Sequence, residues 1–378
     1  MESIVLVYIV MFAIFYFLEK GYIWYAHRKG IEDNPEARSS HTTITVRGGG
    51  GVFYLGVLLY SIYMGFPKPF FFFGLTLLAV VSFIDDVHSL SPKTRLVCQF
   101  VALALMVNQI SSSSVGIILA LIVLSAAVVN IVNFMDGVNG MLSGMSLVVL
   151  GTLQYINYHV VSFIDPHLIW CIIVADLVFC CFNFKRKADC FAGDVGSMTM
   201  GFVLFYLIIR LIWVSNDVKW FVLLGVFLAD GCLTIVHRIF LRENILLPHR
   251  KHAYEIMANE LKVSHLKVSL LYMMLQMVIS VLYILVPTTG TFIAIIVFLV
   301  GAYLVFMTKY YHLHEETLAQ NKVIALDLTG KTVLVVGETA KKNVTLHVKD
   351  MAQVRIVELD RWEDTAIEKY KPAMVLFE

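Results

Sequence analysis

Apolar runs recur along this 378-residue chain from its first residues to about Lys309, and each approaches the roughly 20 residues that a helix needs to cross a hydrocarbon core. A backbone in lipid has no water to bond with, so repeated runs of this kind restrict the fold to a membrane-embedded helical bundle. Composition agrees, with 59% of residues hydrophobic and 15% charged, against about a quarter charged in a soluble domain. About eleven runs are centred near Ile9, Leu58, Leu78, Leu103, Leu124, Val148, Val174, Leu207, Leu224, Met277 and Val297, by hydropathy length. The expected fold is an all-α polytopic membrane protein of about 11 transmembrane helices with a small C-terminal α/β extension. A net charge of +1 offers no clustered basic surface, so nucleic acid is not an expected partner.

The segments between the runs alternate in character. Glu19 to Gly48, Asp85 to Arg95, Lys185 to Gly196 and Arg242 to Lys267 are polar and basic, whereas the others are short and carry little beyond Lys68 and Lys219. The positive-inside rule places the first set in the cytoplasm, together with the C-terminus. The chain is therefore expected to cross a membrane many times, with these segments on its cytoplasmic face. The opening MESIVLVYIVMFAIFYFL lacks a basic leader region and a small-residue cleavage site, so it reads as a retained first span. Six cysteines without CxxC spacing read as small buried hydrophobes.

Beyond Lys309 the composition changes. A charged connector (309–321) separates the membrane domain (1–308) from a module (322–378) in which KTVLVVG, AQVRIVELD and PAMVLF alternate with polar stretches, the pattern of a β-α-β-α-β unit. VVGETAKK lacks GxGxxG, and TGKT lacks the earlier glycine of a phosphate-binding loop. Docking or stabilisation is the reading for this module.

Ionisable groups at the mouth of a span are costly and mark candidate sites. In FIDDVHSLSPKTRL, Asp85 and Asp86 end one span and Arg95 opens the next; adjacent carboxylates repel unless a cation or proton relieves them. In NIVNFMDGVNGM, Asn130, Asn133, Asp136 and Asn139 recur at threefold spacing, a polar stripe if the segment is helical. CFAGDVGSMTMG sets Asp194 between glycines before a span, where it is either a ligand for a magnesium-pyrophosphate complex or a plain helix cap. LPHRKHAYEIM gathers His249, Arg250, Lys251 and His252, which suit phosphate oxygens but lack the spacing of a zinc site; their bland alternative is a loop that only fixes topology. RSSHTTITVRGGGG adds His41, Arg47 and four glycines that would pack backbone against phosphate or against neighbouring helices.

Taken in order, SHTTITVRGGG, DDVHSLSPKTRL, NFMDGVNG, GDVGS and PHRKHAYE resemble the polyprenyl-phosphate N-acetylhexosamine-1-phosphate transferases, over nearly the whole membrane domain. The resemblance implies an enzyme that uses magnesium (or manganese), a UDP-N-acetylamino sugar and a polyprenyl phosphate lipid, with a homodimer as a further expectation. It implies Asp85, Asp86 and Asp136 as catalytic residues and Asp194 as the main metal ligand. Either Asp85 or Asp86 would orient or deprotonate the lipid phosphate, and the other would help the metal. Asn133, Asn139, Arg47 and Arg95 would bind substrate, and His249 and His252, helped by Arg250, would hold the nucleotide-sugar phosphates. Asn139 stands where the family often has a second aspartate, so it supplies no carboxylate. The loop lacks the three consecutive histidines of the muramoyl-pentapeptide transferases and is closer to the branch that initiates surface polysaccharides. Two other readings remain: a multi-span transporter of anionic solutes, since intramembrane acids also mark ion pathways, and a scaffold for polysaccharide assembly without catalysis.

Overall fold

The computed structural model describes residues 2–34, 43–110, 114–245, 249–324, 332–336, 355–359 and 374–377. Its contacts divide the chain into two units, Met1–Met307 and Thr308–Glu378.

The first unit is helical. In chain order come α1 (Glu2–Lys29), a two-residue antiparallel pair β1 (Glu32–Asp33) and β2 (Thr45–Val46), then α2 (Gly51–Tyr63), α3 (Pro69–Val87), α4 (Pro92–Ile110), α5 (Val115–Phe134), α6 (Met141–His159), α7 (Pro166–Asn183), α8 (Gly193–Ser215), a 3-10 segment (Val218–Leu224) leading into α9 (Gly225–Phe240), the short α10 (Ala253–Asn259), α11 (His265–Leu285) and α12 (Thr289–Ile324). Each of the eleven centres read from hydropathy falls in a helical element. Among the described residues, eight segments are long and apolar enough to cross a membrane by length and composition: α1, α3, α5, α7, α8, 218–240, α11 and α12. Of the others, α2 has only 13 residues, and α4 and α6 are long enough but less apolar.

Helix starts follow their local chemistry. Pro69 and Pro166 open α3 and α7, where the missing proline N–H is no loss, and Asp165 caps α7 by accepting from the His167 N–H at 2.9 Å. The most enclosed span is α8, with 89% of its apolar window covered by protein; it packs against α2, α3, α5 and α6. The polar residues at its first turn are therefore held by several helices at once.

Two expectations change here. The stripe from Asn130 to Asn139 is not one helical face, because α5 ends at Phe134 with Met135 as its C-cap, and Asp136 and Asn139 stand in the turn before α6. Asn130 donates back to the Ala126 carbonyl at 2.7 Å, a bond within its own helix. The cysteines are all free, and only Cys171 and Cys190 are buried; Cys181 and Cys232 are exposed on their spans. An apolar solvent makes exposure cheap for a thiol.

In the second unit the described strands β3 (Thr332–Val336), β4 (Arg355–Leu359) and β5 (Met374–Phe377) coincide with the three apolar runs read from the sequence. They form a parallel sheet in the order β4-β3-β5. Parallel neighbours need crossover connections, and these fall outside the described residues.

Candidate active site

The site is built on the GDVGS segment at the start of α8. The two oxygens of Asp86, at the end of α3, accept the N–H groups of Asp194 (3.0 Å) and Val195 (2.9 Å). Asp86 therefore supplies from another helix the acceptors that the free amides of a helix start require, and its negative charge suits the positive end of the α8 dipole. Hydrogen bonds of this charged kind are worth about 1.5–3 kcal/mol each. Gly193 has φ +70°, and a Cβ there would stand 2.5 Å from Asp86 Oδ2 and 2.8 Å from the Gly48 nitrogen, so this position admits no side chain. One turn on, a Cβ at Gly196 would lie 2.6 Å from the Gly50 Cα. The glycines of the first loop thus pack backbone on backbone: Gly49 and Gly50 donate to the Phe191 and Ala192 carbonyls at 2.9 and 3.0 Å. Of the two uses the sequence allowed for them, this is packing against helices.

Asp194 is not a cap for α8. Its carboxylate, 29% exposed, receives Arg95 Nη2 at 2.7 Å and Asn133 Nδ2 at 3.1 Å. Asn133 also donates to Ser197 Oγ at 2.7 Å, and Ser197 donates to the Gly193 carbonyl at 3.0 Å. The other arm of Arg95 meets Asp85 Oδ2 at 2.9 Å, and Asp85 Oδ1 accepts the Leu90 N–H at 2.7 Å. One guanidinium therefore bridges Asp85 and Asp194. Arg47 donates to Asp33 at 2.8 Å and lies 4.0 Å from Asp86 Oδ1. Asp136 is close enough to feel the others: loss of water, then the like charges of Asp194 and Asp86, hold its carboxyl well above the usual carboxylate range. Four acidic side chains thus gather near two guanidiniums, and a divalent cation would relieve the like-charge repulsion that, after burial, holds the Asp136 carboxyl high.

Asn139 sits apart from this group. It is buried, its amide donates to the Lys185 and Arg186 carbonyls at 2.9 and 3.3 Å, and its own carbonyl accepts from Ser269 Oγ at 2.8 Å. These bonds tie the turn before α6 to the loop after α7 and to α11.

The basic loop is drawn to the same end of the bundle by Tyr254, which donates its hydroxyl to the Phe134 carbonyl at 2.7 Å. The rings of His249 and His252 lie 4.9 Å apart and each faces Phe134. Its cations already have carboxylate neighbours: Arg250 meets Glu260 at 3.3 Å, Lys251 pairs with Glu243, and His252 Nδ1 stands 3.4 Å from Asp230 Oδ1. The two imidazoles then diverge. Burial first, then the positive charges of His252, Arg238 and Lys251, push His249 down to about 3. Burial also opposes a charge on His252, but its contact with Asp230 outweighs that and raises it above the ordinary value. Site-resolved NMR titration is expected to show His249 neutral at pH 5 while His252 still carries its proton at pH 6.5; titration of both near the ordinary value would contradict this geometry. His41, the remaining histidine of the first loop's motif, lies outside the described residues.

Residues 69–212 match the model of glycosyl transferase family 4, a span that contains Asp85, Asp86, Arg95, Asn133, Asp136, Asn139 and Asp194. Over that segment the chain is similar to glycosyl transferase family 4. The match and the apolar helices make the protein a transferase in a multi-pass membrane frame. It is similar to a probable undecaprenyl-phosphate N-acetylglucosaminyl 1-phosphate transferase of Bacillus subtilis, at 25% identity over 60% of this chain and 69% of the relative. A decaprenyl-phosphate N-acetylglucosaminephosphotransferase of Mycobacterium leprae is 28% identical over 45% of this chain, which spans about half (52%) of that relative. An undecaprenyl-phosphate alpha-N-acetylglucosaminyl 1-phosphate transferase of Thermotoga maritima is 22% identical over 65% and 79%.

One residue escaped the sequence reading altogether. Asp230, within the 218–240 span, accepts the N–H groups of Ala253 (3.0 Å) and Tyr254 (3.4 Å), the Tyr272 hydroxyl (2.6 Å) and the Thr234 hydroxyl (3.2 Å). It does for α10 what Asp86 does for α8. A single acid inside an apolar run was the available signal.

Proposed function

We propose that the protein transfers an N-acetylamino-sugar-1-phosphate from a UDP-sugar to undecaprenyl (polyprenyl) phosphate, releasing UMP and initiating a lipid-linked cell-surface polysaccharide at the cytoplasmic face of the plasma membrane. The observation that carries this reading is the partly open Asp194 carboxylate, set between Arg95 and Asn133 beside Asp85, Asp86 and Asp136 at the mouth of α3, α5 and α8. The names of the relatives supply the substrate class.

Magnesium, or manganese, suits the donor set as a largely hydrated ion held by one or two carboxylates. Among the described residues no three acidic, histidine or cysteine side chains converge as a ready cage, so Asp194, with Asp136 nearby, would hold such an ion. Bound there, it would offset the charge on the phosphates. The chain's own residues do the rest. Asp86 fixes the first turn of α8 and with it the direction of Asp194. Arg95, released in part from Asp194, would draw a lipid phosphate toward Asp85, which would orient it or take its proton. His252, whose proton Asp230 holds more firmly than usual, would offset charge on the nucleotide side.

A phosphate oxygen of the lipid forms a bond to the phosphorus next to the sugar, and the bond from that phosphorus to the bridging oxygen breaks. UMP leaves with that oxygen. Membranes holding the protein, given polyprenyl phosphate, UDP-N-acetylglucosamine and magnesium, are expected to release UMP and form a lipid diphosphate-sugar. The reaction should run backwards with UMP, because one phosphoanhydride is exchanged for another. Stoichiometric UDP would overturn the proposal.

A further inference from the structure

Away from this site, a polar seam runs up the interface of the antiparallel helices α6 and α7. Asp176, Cys180 and Asn183 recur at i, i+4 and i+7, which puts them on one face of α7. The register is fixed at its lower end, where Asn183 Oδ1 accepts the Gly140 N–H at 2.7 Å. One turn higher Ser143 lies beside Cys180. Continued by one more turn, that register carries Asp176 to the level of Ser146. Asp176, Ser143 and Ser146 are all fully buried, at 0% exposure. Among the described residues, both carboxyl oxygens of Asp176 and both hydroxyls have no hydrogen-bond partner. No opposite charge acts on Asp176 from the described residues.

An isolated carboxylate inside a membrane domain costs several kcal/mol, and buried polar atoms of native proteins are nearly always satisfied. Four unpartnered oxygens in one seam therefore call for a common partner. A proton on Asp176 would cancel its charge but leave most of these oxygens without a partner; one monovalent cation would meet both needs, whereas a divalent ion would leave a net charge in the core. Oxygens that share a hard cation surround it and do not bond to one another, which is the state of these four. We propose that Asp176, Ser143 and Ser146 form a buried site for one small monovalent cation of the sodium class. Because the seam ends at Gly140 and Asn183, occupancy would stiffen the first turn of α6, next to the turn that carries Asp136.

The test uses the full chain purified in detergent, with sodium chloride compared with choline chloride at equal ionic strength. Sodium is expected to raise Tm saturably, and equilibrium binding of radioactive sodium should reach about one ion per chain. Asp176→Asn should abolish both effects. Should that variant fail to fold, the Ser143→Ala/Ser146→Ala pair keeps the carboxylate and is expected to weaken sodium binding at least tenfold. Equal stability in both salts without sodium binding would overturn the site, as would undiminished binding in the variants. A Tm that depends on pH but not on sodium would also overturn it, and would mark a protonated carboxyl instead.

Discussion

Replacing Asp194 by asparagine is expected to lower turnover by at least about 1000-fold, roughly 4 kcal/mol of transition-state stabilisation, while leaving the protein folded. The two effects separate because Asp194 holds little of the structure together. Its contacts are Arg95, itself 44% exposed, and one amide nitrogen of Asn133. An ion pair that open to water contributes about 0–1 kcal/mol. The N–H groups of the α8 start go to Asp86 and stay bonded in the variant. A neutral amide cannot balance a bound cation, so activity should fall with Tm and abundance nearly unchanged. Turnover of Asp194→Asn within tenfold of the wild type would remove Asp194 from the centre of the site. A fall in Tm matching the fall in activity would make it a structural residue.

The largest stability effect is expected at Asp230. Asp230→Ala would leave the Ala253 and Tyr254 amides, the Tyr272 hydroxyl and the His252 ring without their shared acceptor. Removing one partner of a buried charged pair costs about 3–5 kcal/mol, so α10 and the loop before it should come loose. The readouts are a lower unfolding temperature and faster trypsin cleavage after Arg250 or Lys251 than in the wild type. The milder Asp230→Asn keeps the shape but loses the charge, and the His252 titration should then fall below its wild-type position. Wild-type Tm and wild-type protease resistance in Asp230→Ala would show that the loop is held by other contacts.

Much of the site was legible because its residues lie in short segments with unusual neighbours. DDVHSLSPKTRL, NFMDGVNG and GDVGS each place acids or amides against apolar runs, and the structure brings Asp85, Asp86, Arg95, Asn133, Asp136 and Asp194 together at one end of the bundle. Their division of labour was not legible. Asp85 and Asp86 are adjacent in sequence, yet one bonds a guanidinium and the other a helix start. Asn139 continues the spacing of Asn133 and Asp136 but turns to carbonyls of another loop, because α5 has already ended. Arg250 and Lys251 read as free cations, and their partners Glu260 and Glu243 lie too far along the chain for any local pattern to pair them.

By itself the sequence determined that the chain is a helical membrane bundle followed by a small module with three apolar strands, since hydrophobic length and period are local properties that a lipid or a core reads directly. It also determined which segments hold the chemistry, since charge at the mouth of a span is costly wherever the span packs. Tertiary structure alone decided the pairings. The capping of α8 by Asp86 and of α10 by Asp230, the backbone contact of Gly50 with Gly196, and the stranded carboxylate of Asp176 between α6 and α7 each depend on which helices meet and at what register. That choice comes from the summed packing of many side chains, which no single segment records.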